Sequence, residues 1–134
     1  AESKREDYKA QLKLQEGIPV MNQENFFVVT TPTVPGYKIT KVAGLVNGLS
    51  PRSRGLGGVI QGMLQSIGGG EISAFTSEIE KARVEAISRA IQQAKKIGAN
   101  AIVALDMETS DMGGETSFIT LLSATGTAVV IEKE

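Results

Sequence analysis

Ser77-Glu-Ile-Glu-Lys-Ala-Arg83 opens the stretch that decides the fold, and Ala94-Lys-Lys-Ile-Gly-Ala-Asn-Ala-Ile-Val-Ala-Leu-Asp-Met-Glu108 closes it. Ser77 and Glu80 have the spacing of a capping box, in which each side chain satisfies a free backbone N–H of the first turn. Ile79, Ala82, Ala86, Ile87, Ala90, Ile91, Ala94 and Ile97 then recur on one helical face. Glu78 and Glu80 suit the positive end of the dipole, and Lys95 and Lys96 the negative end. Glu85 and Arg89 are an i,i+4 ion pair. Gly98 is placed to end the helix in the left-handed conformation. The residues from Ala101 to Thr109 alternate as a strand, with Val103, Leu105 and Met107 expected on one face and Ile102, Ala104, Asp106 and Glu108 on the other.

Working back towards the N-terminus, Gly68-Gly-Gly70 reads as a helix end. Before it, Leu56, Val59, Ile60, Met63, Leu64 and Ile67 form a helical face. Ser50-Pro51 fits an N-cap followed by a first-turn proline. Four glycines in that segment cost about 1 kcal/mol each relative to Ala, so a helix there needs a packing partner. Tyr37 to Leu49 reads as a strand, with Tyr37, Ile39, Ala43, Leu45 and Leu49 on one face. Gly44 and Gly48 on the other leave room for close backbone approach. Phe26 to Thr30 is a short strand, separated from the next by the turn signal Thr31-Pro-Thr-Val-Pro-Gly36.

Residues 1–25 are a polar, charged arm with a thin apolar stripe of Tyr8, Leu12 and Leu14, and residues 26–134 are the folded domain. Towards the C-terminus, Ser110 to Gly114 is a hairpin turn and Thr116 to Ile131 a long strand, with Gly126 marking a bulge or bend. The expected order is strand, helix, helix, strand, strand: an α+β subunit with a small antiparallel sheet and two helices on one face. Ile119 and Leu121 lie on one face of the last strand, and Phe118, Leu122 and Val130 on the other. Two helices cover one face only, so the second face predicts self-association.

Composition excludes much chemistry. The chain of 134 residues has no Cys and no His, which removes thiol nucleophiles, Ser-His dyads, zinc fingers and haem ligation by those residues. A net charge of −1 without a basic stripe argues against nucleic acid. No apolar run is long enough for a membrane span, so the expected compartment is the cytoplasm. The glycine-rich segment fails both phosphate-binding patterns. After Gly55 and Gly57 the dinucleotide fingerprint needs a glycine where Ile60 stands. Gly57 to Gly62 leads to Met63, where a Walker loop needs Lys. No Ser-x-x-Lys motif is present to activate a hydroxyl. No cofactor and no catalytic residue is assigned.

Two candidate sites stand out. Asp106 and Glu108 project from the same side of one strand, with Asp111 and Glu115 nearby, and carboxylates so placed can hold a hard cation. Arg52 and Arg54, at the expected start of the first helix, can hold an anion.

Thr30-Thr31, Val34-Pro-Gly-Tyr-Lys-Ile39, Gly68-Gly69, Glu80-Lys-Ala-Arg83, Ala94 through Gly98-Ala-Asn-Ala-Ile-Val103, Asp106 and Ser123-Ala-Thr-Gly-Thr-Ala-Val129 follow one another in the order of a known family. In this series the chain resembles the YbjQ-like family, often labelled heavy-metal-binding, over residues of about 26–131. The resemblance implies a dodecin-like α+β subunit that assembles into a homopentameric ring through added strand contacts, with no established enzyme activity. The label fits this chain poorly. Soft metals favour thiolate or imidazole, and the only sulfur here is in Met21, Met63, Met107 and Met112. The expected protein is a non-enzymatic homo-oligomer that takes a small ligand at subunit interfaces, or else a cation on repeated carboxylates.

Overall fold

The computed structural model describes residues 5, 6, 9, 16–22, 24–53, 69–113 and 118–134. They form four strands and one helix: β1 (Phe27–Val28), β2 (Tyr37–Ser53), α1 (Gly69–Lys96), β3 (Ala101–Gly113) and β4 (Phe118–Lys133). The strands make one sheet in the order β1-β3-β4-β2. β4 pairs antiparallel with β2 and β3, whereas β1 runs parallel to β3, Phe27 opposite Ala101 and Val28 opposite Ile102.

This corrects the expected architecture. The order is strand, strand, helix, strand, strand, the sheet is mixed, and one helix is present among the described residues. The dodecin-like subunit with two helices, on which the ring rested, is therefore not what this chain forms. Most of the expected first helix, Leu56 to Ile67, lies outside the described residues. Its expected cap does not: Ser50 and Pro51 lie inside β2. Proline is tolerated there because β2 is an edge strand. Pro51 shares the parity of Leu49, whose carbonyl points away from β4, so the N–H that proline lacks would face the open edge.

The helix also begins earlier than the capping box suggests, at Gly69 rather than beside Ser77. No helix breaker stands between Glu71 and Ser77, so the helix propagates back to the glycine run. Its C-terminus follows expectation, with Lys95 and Lys96 in the last turn and Gly98 at φ 84°.

α1 lies against β2 and β4 through Ala82, Ala86, Ala90 and Ala94, all buried. These small residues bring the helix backbone down onto Gly48, where a Cβ would stand 1.9 Å from the Ala86 carbonyl oxygen. Val46, Leu122, Ala124, Ala128, Ile102 and Leu105 complete that core. The glycine side of β2 is thus the helix-facing side. Leu45 and Leu49, expected on the other face, remain exposed there.

A bulge in β3 resets its faces. Between Val103 and Asp106 the register with β4 slips, so that Ala104 and Leu105 stand opposite Gly126 alone. Ala104 takes φ 54°, unusual for a residue with a Cβ. Ile102 and Leu105 consequently both pack on the helix side, joined by Met107. This overturns the simple alternation, which put Ile102 opposite Leu105. Gly126 permits the bulge, since a Cβ there would lie 2.5 Å from Ile102 Cγ2.

The second face is partly covered by the chain itself. From β1 at one edge, residues 29–36 lead to β2 at the other, and Val34 is buried against Ala101, Val103, Val129 and Ile131. Phe27 and Tyr37 pack there with ring centroids 4.9 Å apart. The arm's last residues fold back on β1, with the Val28 N–H donating to the Val20 carbonyl at 2.7 Å.

Candidate functional site

Register fixes what each strand shows on the face away from α1. Val103, Thr127 and Leu45 form one row across β3, β4 and β2; Asp106, Thr125 and Asn47 the next; Glu108, Ser123 and Leu49 the third. Read along the strands, the same residues make three columns. β3 presents Asp106 and Glu108, both exposed. β4 presents the hydroxyls of Ser123, Thr125 and Thr127. β2 presents an apolar column of Ile39, Val42, Leu45 and Leu49, in which Val42 is 64% and Leu45 83% exposed. A contact at 3.4 Å ties the Thr125 hydroxyl to Asn47 Oδ1 across β4 and β2.

The bulge decides this arrangement. With Leu105 turned towards the helix, Asp106 and Glu108 follow onto the face that also carries Val103, at the end that Val34 does not cover. Asp111 does not join them. Three residues beyond Glu108, it falls on the helix side, where it accepts a hydrogen bond at 2.9 Å from the buried Thr120. Glu115 lies outside the described residues. Among the described residues no three acidic, His or Cys side chains come together in a way that could hold a metal ion.

Arg52 lies at the end of β2, two residues beyond Ser50 and on the same helix-facing side, rather than at a helix N-terminus. Its Nη2 donates to Glu85 Oε2 at 2.8 Å, and Arg89 Nη2 meets the other Glu85 oxygen at 2.7 Å. Arg89 Nη1 also donates to the Leu49 carbonyl. Arg54, the other anion candidate, lies outside the described residues. The carboxylate that anchors Arg52 comes from a helix 33 positions later in the chain, which no local motif reveals. A separate hollow of about 310 Å³ on the outer side of α1 is lined by Gly17, Ile18, Glu80, Arg83 and Val84. It contains none of these candidates.

Comparison with known proteins follows the same boundaries. The YbjQ family model, described as "Putative heavy-metal-binding", matches residues 26–132. A UPF0145 protein of Methanocella arvoryzae is 45% identical over 83% of this chain and 90% of its own length. Another, from Pyrococcus furiosus, is 44% identical over 83% of this chain and 95% of its own. A crystal structure of a protein of unknown function from Pediococcus pentosaceus, of the DUF74 family, superposes with a TM-score of 0.55 at 16% identity. It covers 80% of this chain and 98% of that one. At that identity the likeness concerns the fold.

The family description implies a metal, and the residues present do not fit a soft one. The whole sequence offers neither thiolate nor imidazole. Of the methionines, Met21 lies beside β1 and Met107 packs into the helix-side core, so their thioethers do not converge. Met112 is in β3, and Met63 lies outside the described residues.

Proposed function

This chain belongs to the YbjQ-like family described as "Putative heavy-metal-binding", and from that premise we propose that it works as a cytoplasmic, non-enzymatic homo-oligomer that binds a small ligand where its copies meet. The observation that carries this reading is the apolar column of β2. Scattered exposed leucines need no explanation, but Ile39, Val42 and Leu45 follow one another on one sheet face, with Leu49 beyond Asn47 on the same side. Burying each of the larger ones contributes about 1.5–3 kcal/mol. The open edge of β2 is a less suitable contact, because Gln93 and Arg89 occupy its outward groups at Asn47 and Leu49. Association therefore runs through the face, and it carries the row of Asp106, Thr125 and Asn47 into the contact.

Sedimentation velocity tests this. The unaltered protein should run as an oligomer at micromolar concentration, and Leu45→Ser combined with Val42→Ser should shift it towards monomer without loss of helical circular dichroism. A monomeric unaltered protein overturns the reading.

A second reading rests on the co-facial carboxylates: copies of Asp106 and Glu108, brought together by assembly, bind a hard divalent cation. Calorimetry with Ca²⁺ and Mn²⁺ should then show heat that Asp106→Asn removes. Absence of heat with both ions rejects it.

A further inference from the structure

The helix-facing side of β2 carries two polar atoms that the fold leaves unanswered. Ser50 is fully buried, and among the described residues its hydroxyl has no hydrogen-bond partner. Two residues on, Arg52 Nε is also buried and without an acceptor among the described residues, although Nη2 of the same guanidinium is tied to Glu85. A buried polar group left without a partner is costly to the fold. The two lie where the alanine and aliphatic core gives way to a polar end of the interface, with Thr120 directly opposite Arg52. Two orphans on the same side of one strand call for a common explanation.

The chemistry of the pair defines what would satisfy it. An arginine Nε–H can only donate, so its partner must present an acceptor. The serine hydroxyl can donate to the same group. Around them, Arg52 and Arg89 share the carboxylate of Glu85. Asp111 stands one strand beyond, engaged by the Thr120 hydroxyl. The Arg52 and Glu85 side chains are 30% and 33% exposed while Ser50 is fully buried, so the cluster runs from the surface to the buried hydroxyl.

We propose that this cluster opens to bind a small oxyanion, a carboxylate or a phosphate, with Arg52 Nε and Ser50 Oγ as its donors and Glu85 holding the guanidinium in position. The site lies on the opposite side of the sheet from the Asp106–Glu108 column and does not depend on assembly. The Arg52 side chain is already orientated by Glu85, so little side-chain freedom is lost on binding.

The test uses the full chain, with inorganic phosphate and acetate as separate probes at constant ionic strength. Either probe should raise Tm saturably and shift the Arg52 Nε–H resonance in a ¹⁵N spectrum. Phosphate alone or acetate alone identifies which oxyanion geometry the site accepts. Arg52→Lys keeps the charge but removes the Nε–H, and should weaken binding on the order of tenfold, as expected for a lost hydrogen bond to a charged group. Ser50→Ala should weaken it less while leaving the protein folded. If neither probe moves Tm or the Arg52 resonance, or if Arg52→Lys and Ser50→Ala respond like the unaltered chain, the proposal is overturned.

Discussion

The carboxamide of Gln93 pairs with both backbone groups of Asn47: the Asn47 N–H donates to Oε1 at 2.8 Å, and Nε2 donates to the Asn47 carbonyl at 2.9 Å. A helix side chain thereby takes the place of a neighbouring strand at the open edge of β2. Arg89 does the same for the Leu49 carbonyl, and Pro51 presents no N–H at the next outward position. Exposed edges are templates for unwanted pairing, and this one is blunted three times in succession.

Gln93→Ala should therefore cost about 1 kcal/mol, because water replaces the two bonds at an exposed site. Its larger effect should be on aggregation, with light scattering at elevated temperature rising earlier than in the unaltered protein. Gln93→Glu keeps the acceptor, loses the donor and should fall between the two. Unchanged scattering in Gln93→Ala would show that the edge needs no such cover.

Gly48→Ala should be among the most damaging small substitutions. The added methyl would meet the Ala86 carbonyl at 1.9 Å and the Ala90 nitrogen at 2.5 Å, both helix backbone. Lifting α1 off β2 should cost about 3 kcal/mol or more in urea denaturation. Gly44→Ala is the control. Its nearest neighbour is the end of the Ile97 side chain at 3.2 Å, which can turn aside, and the cost should stay within about 1 kcal/mol.

At the bulge the expected signs are opposite on the two strands. Ala104→Gly should stabilise by about 0.5–1 kcal/mol, since φ 54° strains a residue with a Cβ more than glycine's extra unfolded freedom costs. Gly126→Ala should destabilise by about 1–3 kcal/mol through its contact with Ile102 Cγ2. Thermal denaturation of both variants checks the pair.

Asn100 performs at the other end of the sheet what Gln93 does at the β2 edge. Its Nδ2 donates to the Ile131 carbonyl at 3.0 Å, and the Ile131 N–H donates to its Oδ1 at 2.7 Å. Asn100→Ala should cost about 2–3 kcal/mol, as these groups are partly buried. Asn100→Asp retains the acceptor only and should recover part of that loss. Equal stability of the two variants would mean that the donor carries the whole effect.

What was legible in the sequence is what local chemistry dictates. The alanine stripe, the glycine that ends the helix and the close backbone approach at Gly48 each announce themselves by residue type and spacing, whereas the bulge expected in the last strand at Gly126 lies across from it in β3. What was not legible depends on neighbours distant in the chain. Pro51 looks like a helix start unless one knows that its strand is an edge. Ser77 looks like a cap unless one knows that the helix has already begun. Nothing in Ala104 signals a left-handed backbone, so the faces of β3 could not be assigned until its pairing with Gly126 was seen. Arg52 stands out in the sequence as a charged residue, but its companions Ser50, Glu85 and Arg89 come from register and helix packing.

The crossover from β1 to β2 has a mechanical consequence. At the end holding Val34, Val103 and Val129 the sheet is gripped from both sides, by helix beneath and loop above, and both of its edges are tethered by one strap of chain. At the end holding Glu108, Ser110 and Leu121 no strap is present among the described residues. Unfolding should start at that thin end and run towards the clasp. Amide exchange should follow the same gradient, slowest at Ile102 and Val129 and fastest near Ser110, along strands that a topology diagram draws as uniform.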